Sequence, residues 1–151
     1  MNIASIALPR IFRIGGGASK QLPEVLASLG LSRPLIVTDA YLMSSGRVAE
    51  LENGLAAAGI AARAFADTVP DPTVASVDAG VTFLKEGDHD CVVGFGGGSP
   101  LDSAKAIALL ASHGGAMADY KAPHVQDAPG LPVIAIPTTA GTASSRRSPR
   151  R

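Results

Sequence analysis

Cysteine, tryptophan and net charge are all scarce in this chain of 151 residues, and each scarcity closes off a class of function. The lone cysteine, Cys91, excludes an internal disulfide and fits a reducing compartment. Tryptophan is absent, aromatic residues make up 4% of the chain, and the charges cancel to zero. A nucleic-acid surface wants a basic face and stacking rings, so that class is set aside. No apolar run is long enough to span a bilayer. The opening residues, MNIASIALPRIFRIG, lack the charge, apolar block and small-residue cleavage site of a secretory signal. His89, His113 and His124 show no metal-ligand spacing and read as scattered surface residues. Cys91 reads as a small core residue. The expectation is a soluble, cytoplasmic single domain, large enough to bury roughly 70% of its extended-chain surface.

What the chain has in quantity is glycine, 17 residues, and the most telling group lies in DCVVGFGGGSPLDSAKAIALL, residues 90–110. A β-rich run, Cys91 to Val93, meets Gly96, Gly97 and Gly98, and a helix starts at once. Ser99 stands at the expected N-cap, Pro100 at the first helical position and Asp102 three residues past the cap, a variant of the capping box. Glycine lets backbone approach a ligand closely, and a helix start offers unpaired N–H groups with partial positive charge. The stretch therefore reads as a site for phosphate or pyrophosphate. It is neither a P-loop nor a complete G-x-G-x-x-G, since Ser99 replaces the third glycine.

Around it the chain alternates. Residues 10–14 read as a short strand, followed by Gly15 to Gly17. A helix carries Leu22, Val25, Leu26 and Leu29 on one face, with Pro23 in its first turn and Gly30 as its stop. PLIVT, residues 34–38, is a continuous apolar run of the kind buried on both faces in a parallel sheet. A helix over about 46–58 turns Val48, Leu51 and Leu55 inward and stops at Gly59. A weaker strand covers 60–66, VPDPT is a turn, and a helix with Val74, Val77, Val81 and Leu84 on one stripe ends at Gly87. After Gly114, Gly115 and a loop with Pro123 and Pro129, LPVIAIP at 131–137 is apolar enough for a central strand. The alternation predicts an α/β fold, a Rossmann-like parallel sheet with helices on both faces.

In such a sheet ligands bind beyond the carboxyl ends of the strands. Asp39, the glycines at 96–98 and the turn PTTAGT at 137–142 all fall on that rim. Asp39 can accept bonds from two ribose hydroxyls, which would favour NAD over NADP, or it can cap the next helix. Thr138, Thr139 and Thr142 offer hydroxyls to phosphate or to the nicotinamide amide, or form an ordinary threonine turn. Asp102 can cap the helix or bond a ribose hydroxyl. Lys105, one turn in, is a counter-charge or surface.

GGGSPLDSAKAIALL, with PTTAGTAS some forty residues on and with LIVTDA and VPDPT at the matching places, resembles the iron-containing (group III) alcohol dehydrogenase family. The flavour is closest to its lactaldehyde reductase and butanol dehydrogenase branch. Glycerol dehydrogenase and maleylacetate reductase, which share the fold, are the alternatives. The resemblance implies an NAD(P)-binding α/β domain over 1–144, of the kind found at the N-terminus of dehydroquinate synthase. It further implies that Asp39 holds the adenosine ribose, that Gly97, Gly98 and Ser99 hold the pyrophosphate, and that Asp102 lies on the nicotinamide side. Thr138, Thr139 and Thr142 would line phosphates and nicotinamide. Asp71 stands where the family often has Asn. The family's iron (or zinc) site, built from an Asp and three His of a helical second domain, has no counterpart motif here. After Ser144 the text leaves the family pattern for a tail, residues 145–151, with four arginines in its last six positions. The tail is read as a frameshift, truncation or cloning scar, with a native basic tail as the alternative. The expected full-length enzyme is a homo-oligomer interconverting a primary alcohol or diol with its aldehyde; the expected fate of this chain alone is nucleotide binding without catalysis.

Overall fold

The computed structural model describes residue 11, residues 13–120 and residues 130–139. Within them four parallel strands form one sheet: β1 (Pro34–Val37), β2 (Arg63–Phe65), β3 (Cys91–Gly96) and β4 (Val133–Pro137), in the order β2-β1-β3-β4. Five α-helices connect and cover them: α1 (Leu22–Leu29), α2 (Ala40–Ser44), α3 (Arg47–Ala57), α4 (Val74–Glu86) and α5 (Gly98–His113).

The two buried inner strands divide the core. On one face Leu35, Val37 and Val92 pack with Val77 and Leu84 of α4 and with Ala104, Ile107 and Leu110 of α5. On the other, Ile36, Val93 and Phe95 pack with Leu22 and Leu26 of α1, Leu42 of α2 and Val48, Leu51 and Leu55 of α3. Adjacent strand residues point to opposite faces, and both faces are covered, so the strands read as unbroken apolar runs rather than alternating ones. Cys91 is fully buried among the second set. Burial drives its thiol pKa well up, and the neighbouring Asp90 carboxylate adds to the effect.

Glycine sets how closely α5 lies on β3. A Cβ at Gly94 would come 3.0 Å from the Ala104 Cβ and 3.4 Å from the Leu101 Cα, so any larger residue would push the helix off the strand. At the opposite rim, the segments entering β1 and β3 are latched together. The N–H groups of Ser32 and Arg33 donate to the two carboxylate oxygens of Asp90, at 2.9 and 3.0 Å. Partial burial pushes the Asp90 carboxyl up, but these donors, the Cys91 thiol and the Arg33 charge outweigh it and hold the pKa below its ordinary value.

Several expectations need correction. Of the strand expected at 10–14, Arg10 and Phe12 lie outside the described residues, and Ile11, Arg13 and Ile14 are in no strand. β4 is apolar but stands at the edge of the described sheet, its residues alternating between exposed and half-buried; composition fixes apolarity, whereas strand order follows from the connections. Val74 is 57% exposed, because the first residue of α4 projects past the end of the core stripe. His89 is buried rather than on the surface. Its Nδ1 lies 3.1 Å from the Arg33 carbonyl oxygen and its ring lies against Gly87. His124, Pro123, Pro129 and the tail at 145–151 lie outside the described residues. None of the described helices is long and apolar enough to cross a membrane.

Candidate functional site

The strand order sets a topological switch point. From β1 the chain moves outward to β2, then returns across β1 to add β3 on the other side. Connections leaving β1 and β3 therefore diverge to opposite sides, and open α/β sheets bind ligands beyond the carboxyl ends at such a point. The segments leaving these two strands are Asp39 with α2, and the glycine turn with α5.

The glycine turn differs from the expected capping box. α5 begins at Gly98, with Gly97 as its N-cap in an extended conformation and without a side-chain cap bond. Ser99 and Pro100 are thus the second and third helical residues. The glycine-only dihedral of Gly96, φ 146°, turns the chain so that the helix starts at Gly98, one residue before the serine. The Gly97 carbonyl accepts from the Leu101 N–H at 3.3 Å, the first bond of the helix. Pro100 has no N–H, so the first turn presents those of Gly98 and Ser99 without intrahelical acceptors, at the positive end of a 16-residue helix. Asp102 sits in the second turn, half exposed, with its Oδ1 3.7 Å from the Lys105 Nζ.

Gly96 is a residue that the sequence reading placed among the glycines but left out of the binding set. Its φ of 146° is open to glycine alone, and a Cβ there would meet the Pro100 Cγ at 2.8 Å and the Leu42 Cδ1 at 3.1 Å. Its signal was available in the first position of the glycine triplet. The other rim segments close on the same point. The Thr138 N–H donates to the Gly96 carbonyl at 2.9 Å. The Thr139 side chain stands in ordinary contact with the Cβ position of Gly97, 3.6 Å from its Oγ1. Asp39 caps α2, its Oδ1 accepting from the Leu42 N–H at 2.8 Å. The capping alternative for Asp39 is therefore realised, and one carboxylate oxygen is committed to it.

Asp39, Gly97, Thr138 and Thr139 are thus linked through Gly96 and Leu42. Thr142 lies outside the described residues. Asp71 is exposed in the turn before α4 and holds a left-handed φ of 53°, a conformation Asp and Asn tolerate best among residues with a side chain. The next residue, Pro72, lines a cavity of about 320 Å³ together with Val74, Val77, Asp102, Ala106 and Met117. Asp102 and the Asp71 turn are thereby neighbours at a second place on the face carrying α4 and α5. Among the described residues no group of three or more His, Cys, Asp or Glu could hold a metal ion.

Comparison with known proteins gives this geometry a relationship. The chain is 40% identical over 141 residues to the NAD-dependent methanol dehydrogenase of Bacillus methanolicus, an alignment covering 93% of this chain and 37% of that protein. The crystal structure of a 1,3-propanediol oxidoreductase superposes with a TM-score of 0.89 at 32% identity, over 95% of this chain and 37% of that one. The sulfoacetaldehyde reductase of Bifidobacterium kashiwanohense, crystallised with NAD+, superposes with a TM-score of 0.83 at 31% identity, over 95% and 38%. The chain spans little more than a third of the length of these relatives. The family model for iron-containing alcohol dehydrogenases matches residues 9–147. With that match across nearly its whole length, the chain belongs to the iron-containing alcohol dehydrogenase family.

Proposed function

We propose that this chain supplies the NAD-binding part of a metal-containing alcohol dehydrogenase that interconverts a primary alcohol or diol with its aldehyde. The observation that supports it most is the meeting of three rim segments at one switch point. There Gly96 leaves no room for a Cβ and Thr138 is bonded to its carbonyl. Residues 1–144 form the nucleotide-binding domain in this reading, and 145–151 a basic segment outside it. A soluble, cytoplasmic homo-oligomer acting on small molecules is the form proposed for the whole enzyme.

Each group has a role set by its chemistry. The N–H groups of Gly98 and Ser99, beside Gly97, face a pyrophosphate at the helix start, where backbone and dipole favour negative charge. Asp39 accepts from the adenosine ribose through the oxygen that its cap leaves over, and its charge opposes a 2′-phosphate. Thr138, Thr139 and Thr142 bond phosphates and the nicotinamide amide. Asp102 takes the nicotinamide side, with Asp71 as a weaker contributor on the neighbouring turn. Bound nicotinamide supplies a hydride acceptor or donor; the chain's own residues bind and orient it. Iron or zinc belongs to the proposed whole enzyme, but the described residues hold no group of three or more side chains that fits a metal.

That same lack of a fitting ligand set favours a second reading, in which this chain binds nucleotide and catalyses nothing. Calorimetric titration with NAD and NADP tests the first requirement. The expected result is binding with a preference for NAD, and relaxation of that preference in Asp39→Gly. If Asp39→Gly binds NADP no better than the wild type does, the ribose role fails. An alcohol-oxidation assay with added iron or zinc separates the two readings, since turnover by this chain alone would end the second.

A further inference from the structure

We infer that Leu42 is the positioning residue that holds the Asp39 carboxylate in register with the glycine turn, and so sets the preference between a dinucleotide with a free 2′-hydroxyl and one carrying a 2′-phosphate. The inference rests on the proposed nucleotide site.

α2 has only five residues, too few to hold its shape by its own hydrogen bonds. Its place is fixed from outside, and Leu42 is its one buried residue, 3% exposed, while the adjacent Tyr41 is 77% exposed. Leu42 works at both of its ends. Its backbone N–H donates to Asp39 Oδ1, which stops the carboxylate rotating and commits the ligand-facing role to Oδ2. Its side chain packs in the cluster containing Val93 and Phe95, and its Cδ1 lies 3.1 Å from where a Gly96 Cβ would be. One residue thereby ties the segment proposed to select the ribose to the turn proposed to grip the pyrophosphate. Trimming the side chain opens space beside Gly96, frees α2 to shift and loosens the carboxylate, while the helix start of α5 is left as it was.

The test is calorimetric titration of the whole chain with NAD and with NADP, for wild type, Leu42→Ala, Leu42→Val and Leu42→Met. Leu42→Ala should lose about three- to tenfold in NAD affinity, the scale of a charge-assisted hydrogen bond whose geometry has been relaxed. Its NADP affinity should change less, so the preference shrinks, and Leu42→Met should restore it. A merely structural defect lowers the folded fraction, weakens both nucleotides alike and leaves the ratio unmoved. A folded Leu42→Ala with the wild-type ratio overturns the inference. If circular dichroism shows Leu42→Ala unfolded, Leu42→Val decides: a reduced ratio supports the role, and an unchanged one overturns it. Wild type that binds neither nucleotide brings down the nucleotide site itself and the inference with it. Wild type that prefers NAD, with neutral Leu42 variants, brings down the inference alone.

Discussion

Replacing Gly96 with alanine should be among the most damaging single-methyl additions available to this chain. Two costs combine. At φ 146° a residue with a Cβ is strained, at about 1–3 kcal/mol. The new Cβ would also lie 2.8 Å from the Pro100 Cγ and 3.1 Å from the Leu42 Cδ1, well inside carbon–carbon contact. The proline ring is rigid and built into α5, so the turn itself must move, and overpacking of this kind costs about 1–3 kcal/mol. A combined loss of about 2–6 kcal/mol is a large share of the ~5–15 kcal/mol that holds a domain folded. With a urea m-value of about 2 kcal/mol/M, the midpoint should fall by roughly 1–3 M. The control is Gly46→Ala, where φ is 81° but a Cβ would meet none of the described residues within 4 Å. It should cost only the left-handed penalty, about 1–2 kcal/mol. Adding Leu42→Ala to Gly96→Ala should not rescue it, because the Pro100 contact and the dihedral remain. Urea titrations followed by far-ultraviolet circular dichroism give all these numbers. Equal losses in Gly96→Ala and Gly46→Ala would refute the claim that the turn is closed by Pro100.

Asp90→Asn should destabilise by about 1–2 kcal/mol at pH 7, since charge-assisted bonds from Ser32 and Arg33 are weakened at a partly exposed site. Because the folded carboxyl is held below its ordinary value, its contribution is present above that value and lost as pH falls through the lowered one. Wild type and Asp90→Asn should therefore converge as pH falls below the ordinary carboxyl value and through the lowered one, and a gap that stays constant in urea titrations as the pH is lowered would contradict the latch. Gly80→Ala gains about 1 kcal/mol in helix propensity, yet its Cβ would run into Ile107, 2.8 Å from Cγ1, so net destabilisation is expected. Ile107→Val should remove part of that penalty in a double-mutant cycle, and a Gly80→Ala variant with a raised melting temperature would show the helices to be looser. Thr73→Ala removes the oxygen that accepts from the Ser76 N–H at 3.2 Å and should cost about 1 kcal/mol in thermal unfolding.

The parts of this fold legible in the sequence are those where a single residue pattern has one physical cause. Leu35 to Val37 had to be a strand buried on both faces, because nothing in the run tolerates water. Val48, Leu51 and Leu55, and likewise Leu22 and Leu26, recur at helical spacing because one stripe of each helix meets the sheet. α2 escaped because five residues cannot show a repeat, and its only marker was Asp39, which served two readings equally. The start of α5 differs from the expected one because Ser99 and Pro100 are good at beginning helices, while Gly96 turns the chain at φ 146° and the helix follows from Gly98. The edge place of β4 was hidden because order in a sheet is a property of crossovers between strands, not of any strand's composition. The site was half legible. The glycines and threonines mark segments that meet on one rim, but the approach of Leu42 to Gly96 joins residues more than fifty positions apart, and no local pattern announces it.

The Asp90 latch stands where β1 and β3 begin, and the turns proposed to hold the nucleotide stand where they finish. A six-residue strand places roughly 20 Å between the two. A fluorophore or surface tether fixed near Ser32 would therefore track the integrity of the slab without obstructing the proposed nucleotide site. Directed evolution of this chain should sort itself geographically, with heat tolerance drifting through substitutions at one margin and coenzyme choice through substitutions at the other.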